Sequence, residues 1–184
     1  MFGSVIDRWN KEAKIESVLR KSSYYMSMVY LTAMQSEDPD TKIGCVIVGP
    51  DKEIRSTGYN GLPRGIKITK ERLERPEKYK WMEHAERNAF YNATRMGISI
   101  KDCFLYVNGM PCHDCARAII QSGISHVIVH KKFHELSKER WYPGIQYTEE
   151  MFKEANVKIN SLDENYPISN NLVGYLDGKL INLK

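Results

Sequence analysis

Residues 104–130 read Phe104-Leu-Tyr-Val107-Asn-Gly-Met-Pro111-Cys112-His113-Asp114-Cys115-Ala-Arg-Ala-Ile-Ile-Gln-Ser122-Gly123-Ile-Ser125-His-Val-Ile-Val-His130. Phe104 to Val107 is a short apolar run with strand composition, and Ser125 to His130 is a second. Between them, Cys112 to Ser122 reads as a helix that starts after Pro111, whose missing N–H costs nothing there, and stops at Gly123. A strand, a helix and a strand in so few residues point to an α/β layer fold with helices on both sides of a sheet.

The flanking sequence continues this alternation. Glu83 to Met96 are good helix formers followed by Gly97. Ile43 to Val48 and Glu53 to Tyr59 read as a strand hairpin turning at Asp51-Lys52. Ser22 is a candidate cap for a helix with a buried stripe of Met26, Val29, Tyr30, Ala33 and Met34, broken by the polar text from Ser36 to Asp40. After Gly58-Tyr59-Asn60-Gly61 the chain is charged and aperiodic up to Trp81, as in a long loop or one poorly formed helix. Beyond Phe133 the pattern weakens to a helix over Glu149–Glu154, a strand over Val157–Asn160 and a hairpin turning at Asp177-Gly178.

The chain has 184 residues, 42% hydrophobic and 27% charged, enough for one well-buried core. It has no apolar run of membrane-spanning length, and its first residues lack the apolar segment of a secretion signal, so a soluble cytoplasmic protein is expected. The formal charge of +4 is modest, and the run Lys70 to Lys78 mixes both signs like a solvated surface. Nucleic acid is not demanded as a partner. Four cysteines are too few for a disulfide scaffold, and two of them form a tight Cys-x-x-Cys pair of the kind that binds metal or cycles redox state in a reducing compartment.

His84-Ala85-Glu86 at one helix start and Pro111-Cys112-His113-Asp114-Cys115 at the next can converge on one point at the sheet edge. Cysteines three apart in a first helical turn share a face, and the helix dipole favours their thiolates. With His84 they form three ligands suited to zinc, leaving the fourth tetrahedral position open as catalytic zinc sites do. Water activated there needs a carboxylate to move its protons, and Glu86 is the candidate. Two residues apart on a regular helix would face opposite ways, so His84 has to lie at an irregular first turn. A lone His-x-Glu is weak, and a lone Cys-x-x-Cys is more often part of a four-cysteine zinc knot or a redox pair, but His-x-Glu followed by Pro-Cys-x-x-Cys is the signature of zinc deaminases acting on cytosine or adenine. Cys45 reads as a small buried hydrophobe, Cys103 as unligated, and His113 as solvent-facing. His126, His130 and His134 would suit a second metal only on a helix, whereas their segment reads as strand then loop.

Four motifs carry a family resemblance, two of them longer forms of those just read: Ser36-Glu-Asp-Pro-Asp-Thr-Lys-Ile-Gly44, Gly58-Tyr-Asn-Gly-Leu-Pro63, His84-Ala-Glu-Arg-Asn-Ala89 and Pro111-Cys-His-Asp-Cys-Ala116. Over about Tyr24 to Phe133 the chain resembles the cytidine and deoxycytidylate deaminase family, and most closely its deoxycytidylate (dCMP) branch. The resemblance implies a three-layer α/β/α fold with a mixed sheet of about five strands. It divides the chain into a helical N-terminal extension over 1–20, a zinc-dependent deaminase domain over 21–160 and a C-terminal extension over 161–184. It further implies one catalytic Zn2+ per chain and hydrolysis of dCMP to dUMP. Asn60 would hold the sugar hydroxyl, although in Asn-Gly it can also simply make a turn. The backbone around Ala85 would read the pyrimidine edge, and Tyr59, Gly61 and Pro63 would help bind an effector, dCTP as activator or dTTP as inhibitor, with Mg2+ in a homohexamer.

One departure concerns the substrate phosphate. Related enzymes place a tyrosine and then a polar or basic residue after the strand ending near His130, where this chain has Lys131-Lys132-Phe133-His134. Phe133 then lines the substrate, and the phosphate charge would fall to Lys42, Lys131, Lys132 or Arg64. Cytidine, deoxycytidine or dCTP as substrate, a base within nucleic acid, and a non-catalytic zinc protein are the competing readings.

Overall fold

The computed structural model describes residues 21–162 and 173–182. The helical extension expected over 1–20 lies outside them. Elements run α1 (Lys21–Ala33), β1 (Gly44–Val48), β2 (Ile54–Tyr59), α2 (Lys70–Leu73), α3 (Lys78–Trp81), α4 (Ala85–Arg95), β3 (Phe104–Val107), α5 (His113–Gln121), β4 (His126–His130), α6 (Lys131–Glu154), β5 (Lys158–Leu162), β6 (Val173–Leu176) and β7 (Lys179–Asn182).

Strands β1 to β5 form one sheet in the order β2-β1-β3-β4-β5. β1 pairs antiparallel with β2 and β3, while β3–β4 and β4–β5 are parallel, so the sheet is mixed. The parallel joins are crossovers through α5 and α6.

Each central strand is buried on both faces, and its period of two sorts side chains between two cores. Cys45, Ile47, Leu105, Val107, Val127 and Val129 face one way, against Ala85, Ala89 and Phe90 of α4, Ala116 and Ile119 of α5, and Phe152 of α6. Val46, Val48, Phe104, Tyr106 and Ile128 face the other way, against Tyr25, Met26, Val29 and Tyr30 of α1. This is the three-layer arrangement that the strand and helix alternation implied.

Helix α4 lies unusually close to the sheet. A side chain on Gly58 of β2 would put its Cβ only 2.3 Å from the Ala85 carbonyl and the Ala89 amide. Glycine is needed there because the first turn of α4 rests on the strand backbone.

Several expectations are corrected. Ser22 lies inside α1 rather than capping it, and Met34 is 51% exposed, because the helix ends at Ala33 before the stripe comes round again. The segment after β4 is not a loop. α6 starts directly at Lys131, in a text rich in the helix formers Lys, Glu and Leu, and runs 24 residues through Pro143 and Gly144. The Pro-Gly pair, which normally ends a helix, hid the element. The loop after β2 contains the single turns α2 and α3. The C-terminal hairpin does turn at Asp177-Gly178, both with positive φ of 48° and 73°. It packs Leu176 and Ile181 against the second core, while the Gly178 amide donates to the Asp40 carbonyl at 2.8 Å. No described helix is long and apolar enough to cross a membrane.

His130 ends β4 fully buried, its Nδ1 2.8 Å from the Tyr30 hydroxyl. Burial, reinforced by Lys132, pushes its imidazole down to about 4. An unfolded histidine titrates near 6.5, so the neutral ring contributes fully above about pH 6.5, and its contribution is lost as pH falls from there through 4. The loss is on the order of 3 kcal/mol. His130→Phe is therefore expected to lose less stability than the parent between pH 7 and pH 4.5, measured by urea unfolding at each pH.

Candidate active site

His84 is the residue before α4, with extended backbone (φ −81°, ψ 153°), and Ala85 is the first helical residue. That break in geometry is what the sequence required for His84 and Glu86 to serve one site. The position is held from behind: the His84 amide donates to Glu83 Oε1 at 2.9 Å, and Glu83 exchanges backbone hydrogen bonds with Gly61. Cys112 is the matching extended residue before α5 (φ −72°, ψ 168°), and Cys115 lies in the first turn.

The two helix starts bring three donors together. His84 Nδ1 lies 3.4 Å from Cys112 Sγ and 3.5 Å from Cys115 Sγ, and all three donor atoms lie within 4.8 Å of one another. Nitrogen and sulfur donors at the corners of a zinc tetrahedron sit about 3.5 Å apart, so the residues fit that ion.

The two thiols are not equivalent. A hydrogen bond from Cys115, helped by His84, pulls Cys112 down to about 3. The bond to Cys112 and burial push Cys115 up. Sharing one proton, the pair by itself holds one thiolate, not two, and a dication's charge is what would hold both.

Glu86 lines the same cavity as His84 and Cys112 and is 4% exposed. Burial raises its carboxyl above the usual range, opposed by His84. On the other side of His84, Arg87 pairs with Glu83 and approaches Asp114 at 4.0 Å.

Asn60, Ala85 and Phe133 also line the cavity. Asn60 has no positive φ, so it is not the left-handed residue of a two-residue hairpin turn. Its Oδ1 accepts from the Ile43 amide at 2.7 Å, and its Nδ2 donates to the Thr41 carbonyl at 2.9 Å and to Asp38 Oδ2 at 3.4 Å. Phe133 is 1% exposed and packs on Tyr30.

Lys42, Tyr59, Gly61 and Pro63 are placed elsewhere. The Lys42 ammonium donates to the Ser36 carbonyl, Gly61 pairs with Glu83, and Pro63 is exposed. Arg64 turns to the Asn92 side chain, and Lys131 and Lys132 do not line the cavity.

The lining cation that sequence reasoning missed is Lys78, 2% exposed and read earlier as part of a solvated run. Its ammonium donates to Asp38 Oδ1 at 2.7 Å, Asp38 Oδ2 at 2.9 Å and Asp40 Oδ2 at 2.8 Å. Charge pattern cannot reveal this, since partners 38 and 40 residues away decide it. The Asp38-Pro39-Asp40 text did hold a signal: Asp38 Oδ1 accepts from the Asp40 amide at 2.8 Å, the side-chain-to-backbone turn that Asp favours.

Cys45 and Cys103 are fully buried and are not part of this donor cluster, and Cys103 Sγ lies 3.6 Å from the Lys101 carbonyl. His126 stacks on Phe104 at 4.5 Å and His130 bonds Tyr30, so each has a separate partner. His113 is partly exposed beside Asp114.

The family description "Cytidine and deoxycytidylate deaminase zinc-binding region" matches residues 19–131. Deoxycytidylate deaminase of Pongo abelii is 35% identical over 131 residues, covering 66% of this chain and 71% of that one. A deaminase encoded in the luxG 3' region of Aliivibrio fischeri is 36% identical over 138 residues, covering 75% of this chain and 90% of that one. The crystal structure of dCMP deaminase from cyanophage S-TIM5, in complex with dCMP and dUMP, superposes with a TM-score of 0.59 at 20% identity, covering 77% of this chain and 96% of that one. That likeness bears on the fold.

The purified protein is expected to carry about one zinc per chain. Cys112→Ser should lose most of it and Cys103→Ser should keep it, as read by elemental analysis.

Proposed function

The chain belongs to the cytidine and deoxycytidylate deaminase family, and on that premise we propose that it hydrolyses dCMP to dUMP and ammonia. The observation that carries this reading is the placement of Glu86, a buried carboxylate two residues from His84, in the same cavity as Cys112 and Asn60. A non-catalytic zinc protein has no need of that group at that place.

His84, Cys112 and Cys115 would hold the zinc ion, which when bound makes water nucleophilic near neutral pH. The remaining work falls to the chain. Glu86 takes the proton that the attacking water gives up as its oxygen adds to C4 of the cytosine, and passes it to the ring nitrogen. It then moves the second proton to the exocyclic nitrogen, so that the C4–N bond breaks and ammonia leaves. The backbone at the start of α4, around Ala85, lines the cavity where the helix has no preceding turn to accept its amides, and is assigned to the pyrimidine edge. Phe133 and Ile145 supply apolar wall that keeps bulk water off the reacting carbon.

Asn60 is assigned to the sugar. With both amide hydrogens donated and Oδ1 holding one bond, what it offers is a lone pair for a substrate hydroxyl. The choice of dCMP over other cytosine nucleotides is supported by the curated relatives named deoxycytidylate deaminase.

Glu86→Gln keeps the side chain's shape and removes its base. It should lower turnover of dCMP by about 10²-fold or more while leaving zinc content unchanged, measured by ammonia release alongside elemental analysis. Full turnover by this variant would remove Glu86 from the mechanism.

The finer reading includes regulation, with dCTP activating and dTTP inhibiting in the presence of Mg2+ in a homohexamer. It is supported by the Gly58 to Pro63 motif and by the position of Tyr59, Gly61 and Pro63 off the cavity lining. Initial rates on dCMP should rise with dCTP and fall with dTTP. Rates indifferent to both would leave the deamination reading standing without its regulation.

A further inference from the structure

We propose that Lys78 and Asp38 are positioning residues for substrate selection: they lock Asn60 as a hydrogen-bond acceptor, so that the cavity demands a hydroxyl on the sugar. The inference rests on the nucleotide deamination reading and adds to it a role for Lys78, which lies in none of the quoted motifs, and for Asp38, to which the resemblance assigned no role.

The lock is a chain of contacts. Lys78, on α3, spends its three ammonium hydrogens on carboxylate oxygens of Asp38 and Asp40, at 2.7, 2.9 and 2.8 Å. It is therefore committed within the protein and is not a spare cation for a phosphate. Asp38, so held, accepts from the amides of Asp40 at 2.8 Å and Thr41 at 3.2 Å, which shapes the turn from 38 to 41. That turn aims the Thr41 carbonyl at Asn60 Nδ2, 2.9 Å away, while Asp38 Oδ2 takes the other hydrogen at 3.4 Å.

The result is one orientation of the Asn60 amide. Turning it over would set NH2 against the Ile43 amide and its oxygen against two acceptors, a mismatch at all three contacts. Nothing in the fixed orientation donates, so a sugar without a hydroxyl hydrogen leaves the Oδ1 lone pair unpaired in a buried wall. A second feature marks the same wall as facing a ligand. Thr41 Oγ1, nine-tenths buried on a residue that lines the cavity, has no hydrogen-bond partner among the described residues.

Outside the cavity the lock is braced. Arg75 pairs with Asp40 at 2.9 Å and with Asp177, at the tip of the C-terminal hairpin, at 3.0 Å. Two cations and three carboxylates thus tie α3, the 38–41 turn and the hairpin together.

The test compares dCMP with 2′,3′-dideoxy-CMP, which lacks the 3′-hydroxyl, in the parent, Lys78→Met and Asp38→Asn. Zinc content and thermal melting are recorded for each. The parent should prefer dCMP by about tenfold or more in kcat/KM. In the variants that ratio should fall to about twofold, mostly through a higher KM for dCMP, with zinc retained. If both substrates lose activity together and the ratio stays at the parent's value, the pair only supports the fold and the proposal is overturned. Asp38→Asn, which keeps the size and one oxygen, decides the matter if Lys78→Met does not melt cooperatively. A parent that turns over both substrates equally overturns this inference alone, whereas a parent inert to both, with zinc in place, overturns the deamination reading beneath it.

Discussion

Three donor atoms from two separate helix starts have to meet within 4.8 Å, and much of the architecture serves that meeting. His84 and Cys112 both occupy the extended position before a helix, where the backbone has not yet begun its regular turn. This geometry lets His84 and Glu86 address one cavity although only one residue separates them. It also puts the first helical amides, which have no acceptor on a preceding turn, beside the donors. The strands behind must then hold the two helices at a set separation. Gly58 lets α4 rest on the backbone of β2, and β1 and β3, paired in register from Cys45–Val107 to Val48–Phe104, link that helix to the turn that carries Cys112.

The opposite wall of the cavity is built from different physics. Around the donors, burial and apolar packing dominate, with Ala85, Ala89 and Cys115 at or near zero exposure. Around Lys78 the wall is ionic. Burying an ammonium and a carboxylate carries a desolvation cost of several kcal/mol per ion that their attraction only roughly offsets, so such a pair is weak evidence for added stability. Its effect is better read as specificity. Oriented charges leave the 38–41 turn and Asn60 one arrangement, where an apolar wall of similar volume would allow several.

Helix α6 closes the remaining side. It leaves β4 with no loop, brings Phe133, Ser137 and Ile145 to the cavity, and ties back to the cysteine turn through Thr148, whose hydroxyl donates to the Pro111 carbonyl at 3.1 Å. The same element thus lines the substrate space and braces the turn before Cys112. Buried His130, at the junction of β4 and α6, makes that join sensitive to acid.

What could be read without tertiary structure was whatever depends on neighbours in the chain. Strand and helix alternation, the Gly97 and Gly123 stops, the Asp177-Gly178 turn and the His-x-Glu and Pro-Cys-x-x-Cys spacings are all local, and each sets backbone geometry or donor identity over a few residues. The irregular turn at His84 could be deduced because the chemistry required it. Hidden from the sequence were features whose energy lies in distant partners. Lys78 looked like one of many solvated charges until Asp38 and Asp40 surrounded it, Lys42 looked available until it met the Ser36 carbonyl, and α6 was masked by a Pro-Gly pair that local rules count as a stop. Local propensity acts over a turn or two of chain. Which charges are buried, and which polar atoms remain for a ligand, was decided only when the folded sheet brought those residues together.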